Sequence, residues 1–168
     1  MFKRAKSCPG QDTAYLKDFN TNIVPCTKCG YEIEFFSDEK KVRCPKCHSN
    51  VFKVDSDVIA YENKRFILKD DKSNCLDWCG QCLNSKDYKD LKENYKRIEI
   101  KKKDMAALID SIDENDVEAI NFFIDAFKKS INYPKLIDSR IFDILKKTNL
   151  ELFIKVRNYY LNFNNENL

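Results

Sequence analysis

The chain has 168 residues, room for one ordinary domain or two small ones and too little for a large multidomain enzyme. Hydrophobic residues make up 43% and charged residues 34%, the balance of a chain that folds, while three Gly and four Pro leave little for phosphate loops or flexible linkers. The net charge of +3 divides into 22 Lys/Arg against 16 Asp/Glu in residues 1–103 and 8 against 11 in residues 104–168, far from the dense basic face of a strong nucleic-acid binder.

The opening stretch, Met1 to Lys6, is basic and runs into Cys8-Pro9-Gly10 without an apolar segment, so it does not read as a secretory signal. No run of about 18 apolar residues follows anywhere, which argues against a membrane span. The expected location is cytoplasmic. All eight cysteines, Cys8, Cys26, Cys29, Cys44, Cys47, Cys75, Cys79 and Cys82, fall in the first half. Their close pairing in a reduced compartment favours metal over disulfides.

Cys26-Thr27-Lys28-Cys29-Gly30 and Cys44-Pro45-Lys46-Cys47 carry the strongest signal. Two thiolates separated by two residues turn back onto one ion, and Gly30 supplies the backbone freedom that such a knuckle uses. Two knuckles make a four-sulfur tetrahedral site, typical of structural zinc, with rubredoxin-type iron as the other occupant. Between them Tyr31 to Phe36 alternates as a strand does. Ser37 to Lys40 reads as a hairpin turn, Lys41-Val42-Arg43 as the returning strand, and Val51 to Val54 as a third. This is the pattern of a zinc ribbon. His48, the single histidine, reads as a surface residue beside a site already complete.

Cys75-Leu76-Asp77-Trp78-Cys79-Gly80-Gln81-Cys82 has the cysteine spacing of radical S-adenosylmethionine enzymes. Those enzymes build a large βα barrel after the motif, whereas only 86 residues follow Cys82 and they read as helices. Cys8, Cys75, Cys79 and Cys82 are what remains once the ribbon is complete, the right number for a second centre. Three clustered cysteines and one remote one suit a 4Fe-4S cluster; a second Zn2+ is the alternative. Trp78 is expected to pack over that centre.

The motifs Cys8-Pro9-Gly10, Cys26-x-x-Cys29-Gly30-x-Glu32-x-Glu34-Phe35-x-x-Asp38-Glu39, Cys44-Pro45-x-Cys47 and Cys75-x-Asp77-Trp78-Cys79 resemble a small cysteine-rich zinc-ribbon family of anaerobic bacteria and archaea. The likeness spans roughly residues 7–85. It implies an anaerobic setting and a paired metal arrangement, and it supplies no reaction. Cys82 stands nearer to the Trp-Cys pair than is usual there, and residues 55–74 are additional.

From Ser85 onward the apolar period changes from two to about 3.6. Residues Asp87 to Arg97 predict an exposed connecting helix with Tyr88, Leu91 and Tyr95 as a thin stripe. Lys101-Lys102-Lys103 reads as a solvated helix start or linker. Met105, Leu108, Ile109 and Ile112 mark a further helix. Asp113 is the expected N-cap of the next, with Asp116 completing a capping box and Val117, Ile120, Phe123, Ile124, Phe127 and Ile131 as its stripe. Tyr133-Pro134 stops it. Asp138 is expected to cap a short helix, and Asn149 to start the last one.

The expected architecture is α+β: a cysteine-rich zinc-ribbon β domain over residues 1–85, then a helical domain over 86–168. The latter comprises a connecting helix at 86–100 and a small bundle at 101–163. The bundle offers no histidine, cysteine or Gly-rich loop, and no general base of obvious suitability, so no enzyme is expected. The leading expectation is a noncatalytic metal-binding accessory protein that docks to a protein partner, such as a subunit of an anaerobic redox assembly. A small iron–sulfur electron carrier and a nucleic-acid-binding ribbon using Lys40, Lys41, Arg43 and Lys46 are the alternatives.

Overall fold

The computed structural model describes residues 21–36, 39, 41–54, 59–69 and 85–166. It is an α+β arrangement in which short antiparallel strand pairs precede four helices. Strand β1 (Thr21–Pro25) pairs with β2 (Glu32–Phe36), placing Val24 opposite Ile33. Along β2, Ile33 and Phe35 turn inward while Glu32, Glu34 and Phe36 face solvent, the period of two expected of a half-buried strand. Strand β3 (Lys41–Arg43) pairs with β4 (Asn50–Phe52).

This pairing corrects the hairpin expected between β2 and β3. Among the described residues β2 and β3 are not partners; each cysteine knuckle is instead the loop of its own hairpin. The reason is local. Cys26 N–H donates to Tyr31 O at 2.8 Å and Cys44 N–H to Ser49 O at 2.8 Å, so each knuckle closes a ladder by itself.

A third hairpin, β5 (Ile59–Glu62) with β6 (Arg65–Leu68), lies where only additional sequence was expected. Its turn residues Asn63 and Lys64 have φ of 51° and 61°, the left-handed pair of a type I′ turn. Phe66 stacks on Tyr61 at 4.7 Å and on Phe127 at 4.4 Å between ring centroids. Ile59 and Phe66 therefore belong to the same apolar cluster as the helices.

Helix α1 (Ser85–Asp110) runs unbroken through the two helices and the basic linker expected there. At 1.5 Å per residue its 26 residues span about 39 Å. Asp87, Leu91, Asn94, Ile98, Lys101, Met105 and Leu108 are all buried, at alternating spacings of four and three, and Ile112 extends the series into the turn beyond. Three polar members in that stripe explain why the sequence looked divided.

Lys101 is 8% exposed, and its Nζ donates to the carbonyls of Ser130 (2.6 Å), Tyr133 (2.8 Å) and Ile131 (3.3 Å). It thus caps the C-terminal end of α2 (Val117–Ser130), where a cation also meets the negative end of the helix dipole. Burial pushes the Lys101 ammonium down to about 7. An unfolded lysine titrates near pH 10.4, so above about pH 7 the unfolded chain holds a proton that the folded chain has released. Stability contributed at this position therefore rises with pH from about 7 to about 10, by at most about 1.4 kcal/mol per unit. Urea denaturation at several pH values should show wild type gaining on Lys101→Met across that window; parallel curves would contradict the burial argument.

The N-cap of α2 is Asp116, whose Oδ1 accepts from Ala119 N–H; Asp113, the expected cap, sits in the preceding turn and accepts from Asn115 N–H at 2.9 Å. Val117, expected in the apolar stripe, is 58% exposed because the helix starts on it and turns it outward. Helix α3 (Ser139–Thr148) is capped by Asp138, and α4 (Leu150–Glu166) by Asn149, whose Oδ1 accepts from Leu152 N–H at 3.0 Å. Phe122, Phe142 and Tyr160 join α2, α3 and α4 in one ring cluster, with centroids 5.8 and 5.3 Å apart. Among the described residues no helix is long and apolar enough to cross a membrane.

Candidate metal centre

The two knuckles are built alike. Gly30 N–H donates to Cys26 O at 2.8 Å, and His48 N–H to Cys44 O at 2.9 Å. Closing each loop forces the residue after the second cysteine into left-handed backbone, φ 74° at Gly30 and 57° at His48. Glycine meets that demand freely. At the second knuckle a histidine does so instead, with its side chain exposed and outside the sulfur cluster.

The Sγ atoms of Cys26, Cys29, Cys44 and Cys47 all lie within 4.8 Å of one another. Cys26 to Cys47 and Cys29 to Cys44 are both 3.6 Å. A tetrahedron of sulfurs around an ion at about 2.3 Å has edges of about 3.8 Å, so the cluster fits one metal ion. A disulfide, at about 2.05 Å, does not fit, and all four cysteines are free. Cys26 and Cys44 are fully buried against Val24, Ile33, Phe35 and Val51, while Cys29 and Cys47 lie nearer the surface.

Ser49 was not singled out from sequence. Its Oγ lies 2.8 Å from Cys47 Sγ and 3.7 Å from Cys26 Sγ, placing a hydroxyl donor beside the cluster. Burial pushes the Cys47 thiol up, but the Ser49 hydroxyl and backbone, with Cys26 and Cys44, pull it down to about 6. At Cys29 the Tyr31 backbone pulls down, while burial and the hydrogen bonds to Cys44, Cys26 and Cys47 push the thiol up to about 12. Four thiols this close cannot all ionise alone. A metal cation removes that repulsion and displaces the remaining protons.

The helices hold the hairpins in place. Asp87 accepts from Lys41 Nζ at 2.6 Å and from Asn50 Nδ2 at 2.8 Å, and Asp90 from Asn50 N–H at 3.1 Å. Phe52 packs on Leu91, Arg140 reaches Glu32 at 2.6 Å, and Asn132 brackets the backbone of Val54 with two hydrogen bonds. Of the basic residues at the ribbon tip, Lys41 is engaged by Asp87, Arg43 and Lys46 are exposed, and Lys40 lies outside the described residues. Cys8, Cys75, Cys79, Cys82 and Trp78, the expected second centre, also lie outside them. Set beside protein-family models, curated proteins and solved structures, the chain matches none of them.

Proposed function

We propose that the chain is a noncatalytic zinc-ribbon accessory protein, whose metal centre braces a surface that docks to a protein partner. The observation that carries this reading is the closed sulfur cluster: four thiolates at tetrahedral spacing leave no position for substrate or water. Zinc is the occupant this reading assigns to Cys26, Cys29, Cys44 and Cys47. A second centre at Cys8, Cys75, Cys79 and Cys82, holding a 4Fe-4S cluster or a second zinc, remains part of the proposal on spacing alone.

The docking half is supported by apolar side chains left at the surface. Leu150, Ile154 and Leu161 follow one outward line on α4, each more than 40% exposed, near the equally exposed Ile144 of α3. Isolated exposed leucines are ordinary, but a row of them marks interaction surfaces more often than solvated ones.

Gel filtration of gently lysed native cells tests the reading. The expected result is elution in a complex, with an Ile154→Asp, Leu161→Asp double variant shifting to the size of the free chain while keeping its metal. Elution of the wild type as a free chain, or an unshifted double variant, would contradict it.

A further inference from the structure

The two knuckles correspond residue for residue, Cys26-Thr27-Lys28-Cys29-Gly30-Tyr31 against Cys44-Pro45-Lys46-Cys47-His48-Ser49. Each closes by the same backbone hydrogen bond, Cys26 N–H to Tyr31 O and Cys44 N–H to Ser49 O, so Tyr31 and Ser49 hold equivalent positions. The backbone at each position also hydrogen-bonds the second cysteine of its knuckle. Their side chains differ. Ser49 Oγ lies 2.8 Å from Cys47 Sγ, whereas Tyr31 is 45% exposed. Among the described residues, no side chain outside the sulfur cluster hydrogen-bonds Cys29.

With an ion bound, all four sulfurs are thiolates, and a thiolate is a nucleophile as well as a ligand. Cys26 and Cys44 are fully buried, so Cys29 and Cys47, whose sulfurs lie near the surface, are the two open to reagents. An exposed lysine precedes each, Lys28 and Lys46, so the charge carried by the knuckle does not separate them. The hydroxyl does. A donor hydrogen-bonded to a thiolate withdraws electron density, and nucleophilicity falls with basicity along a Brønsted slope of about 0.4–0.5. The Ser49 hydroxyl damps Cys47 in this way and leaves Cys29 the more reactive sulfur, by about three- to tenfold.

We propose that Cys29 is the modification site of the metal centre, a thiolate that reacts with hydrogen peroxide, with Cys44 as its resolving partner. Cys29 Sγ attacks one peroxide oxygen, the O–O bond breaks, hydroxide departs, and the sulfur becomes a sulfenic acid. Cys44 Sγ, 3.6 Å away, then attacks the sulfenic sulfur, the S–O bond breaks, and a second hydroxide leaves. Two thiolates have given two electrons to one peroxide, and a Cys29–Cys44 disulfide joins the knuckles. Cys26 and Cys47 are then too few for a closed site, so the ion is lost. The inference rests on the four cysteines holding a metal and takes nothing from the docking reading.

The test is substoichiometric iodoacetamide on the full, metal-loaded chain, followed by trypsin and mass spectrometry. Cleavage after Lys28 and Lys46 separates Cys29 and Cys47 from their buried neighbours. Cys29 should be alkylated about three- to tenfold faster than Cys47, and that wild-type ratio decides by itself should a variant lose its metal. In Ser49→Ala the ratio should fall to about one by acceleration of Cys47. Ser49→Thr should restore it, and Tyr31→Ser should slow Cys29. A merely structural Ser49 would shift all four cysteines together. Hydrogen peroxide should give the Cys29–Cys44 disulfide first, with one ion released to a chromogenic chelator per disulfide. Equal or faster alkylation of Cys47 in the wild type, an unchanged ratio in metal-loaded Ser49→Ala, or a different first disulfide among these four would each overturn this proposal alone. A chain that binds no metal would overturn the reading of the centre and this proposal with it.

Discussion

On the proposed reading, replacing Cys44 with serine should abolish metal binding at the two knuckles and unfold both of their hairpins. Cys44 has no solvent exposure, and among the described residues the buried members of the apolar cluster around it are Val24, Cys26, Ile33, Phe35, Cys44 and Val51. Isolated two-stranded hairpins are marginal in water, and β1 to β4 are only three to five residues long. An ion bound by the four cysteines would therefore add to the contacts from α1 and α3 much of the free energy that orders them. Structural zinc sites bind with apparent energies of about 10–16 kcal/mol, and that binding energy is folding energy. Metal analysis should show one ion fewer per chain, and hydrogen exchange at Ile33, Phe35 and Val51 should lose its protection. Unchanged metal content together with unchanged protection would remove the basis of the assignment.

Phe66→Ala should be the most damaging change outside the knuckles, at about 3–5 kcal/mol. Phe66 is 3% exposed and wedged between Tyr61 and Phe127. Truncation leaves a cavity at the point where the β5–β6 hairpin meets α1 and α2, with Met105 and Phe123 in the same cluster. Chemical denaturation of the full chain should register the loss in the helical circular dichroism signal, not only in the hairpin. A change below about 1 kcal/mol would mean that the hairpin lies on the helices without contributing to their core.

How far these features were legible in the sequence follows from their physics. The knuckles were legible because thiolate spacing is dictated by the coordination geometry of one ion, and the four sulfurs meet as expected. The caps at Asp138 and Asn149 were legible because a short polar side chain before an apolar run has one economical use. The true cap at Asp116 was assigned instead to Asp113, since both carboxylates stand at plausible distances and only the turn decides between them.

The continuity of α1 was hidden by Asp87, Asn94 and Lys101, three polar residues on its buried face whose partners come from distant segments. Those partners are the β3–β4 hairpin and the end of α2, which no local pattern reveals. The β5–β6 hairpin was missed because its turn is Asn63-Lys64 rather than Asn-Gly, and each strand is only four residues long. Ser49 was missed because a hydroxyl two residues beyond a cysteine carries no signal until the loop is closed.

X-ray absorption at the zinc edge of the full wild-type chain tests the closed-centre account most directly. Four sulfur scatterers at about 2.3 Å, with no nitrogen or oxygen in the inner shell, is the predicted result. A nitrogen or oxygen ligand at about 2.0–2.1 Å, or a protein that carries no zinc, would contradict it.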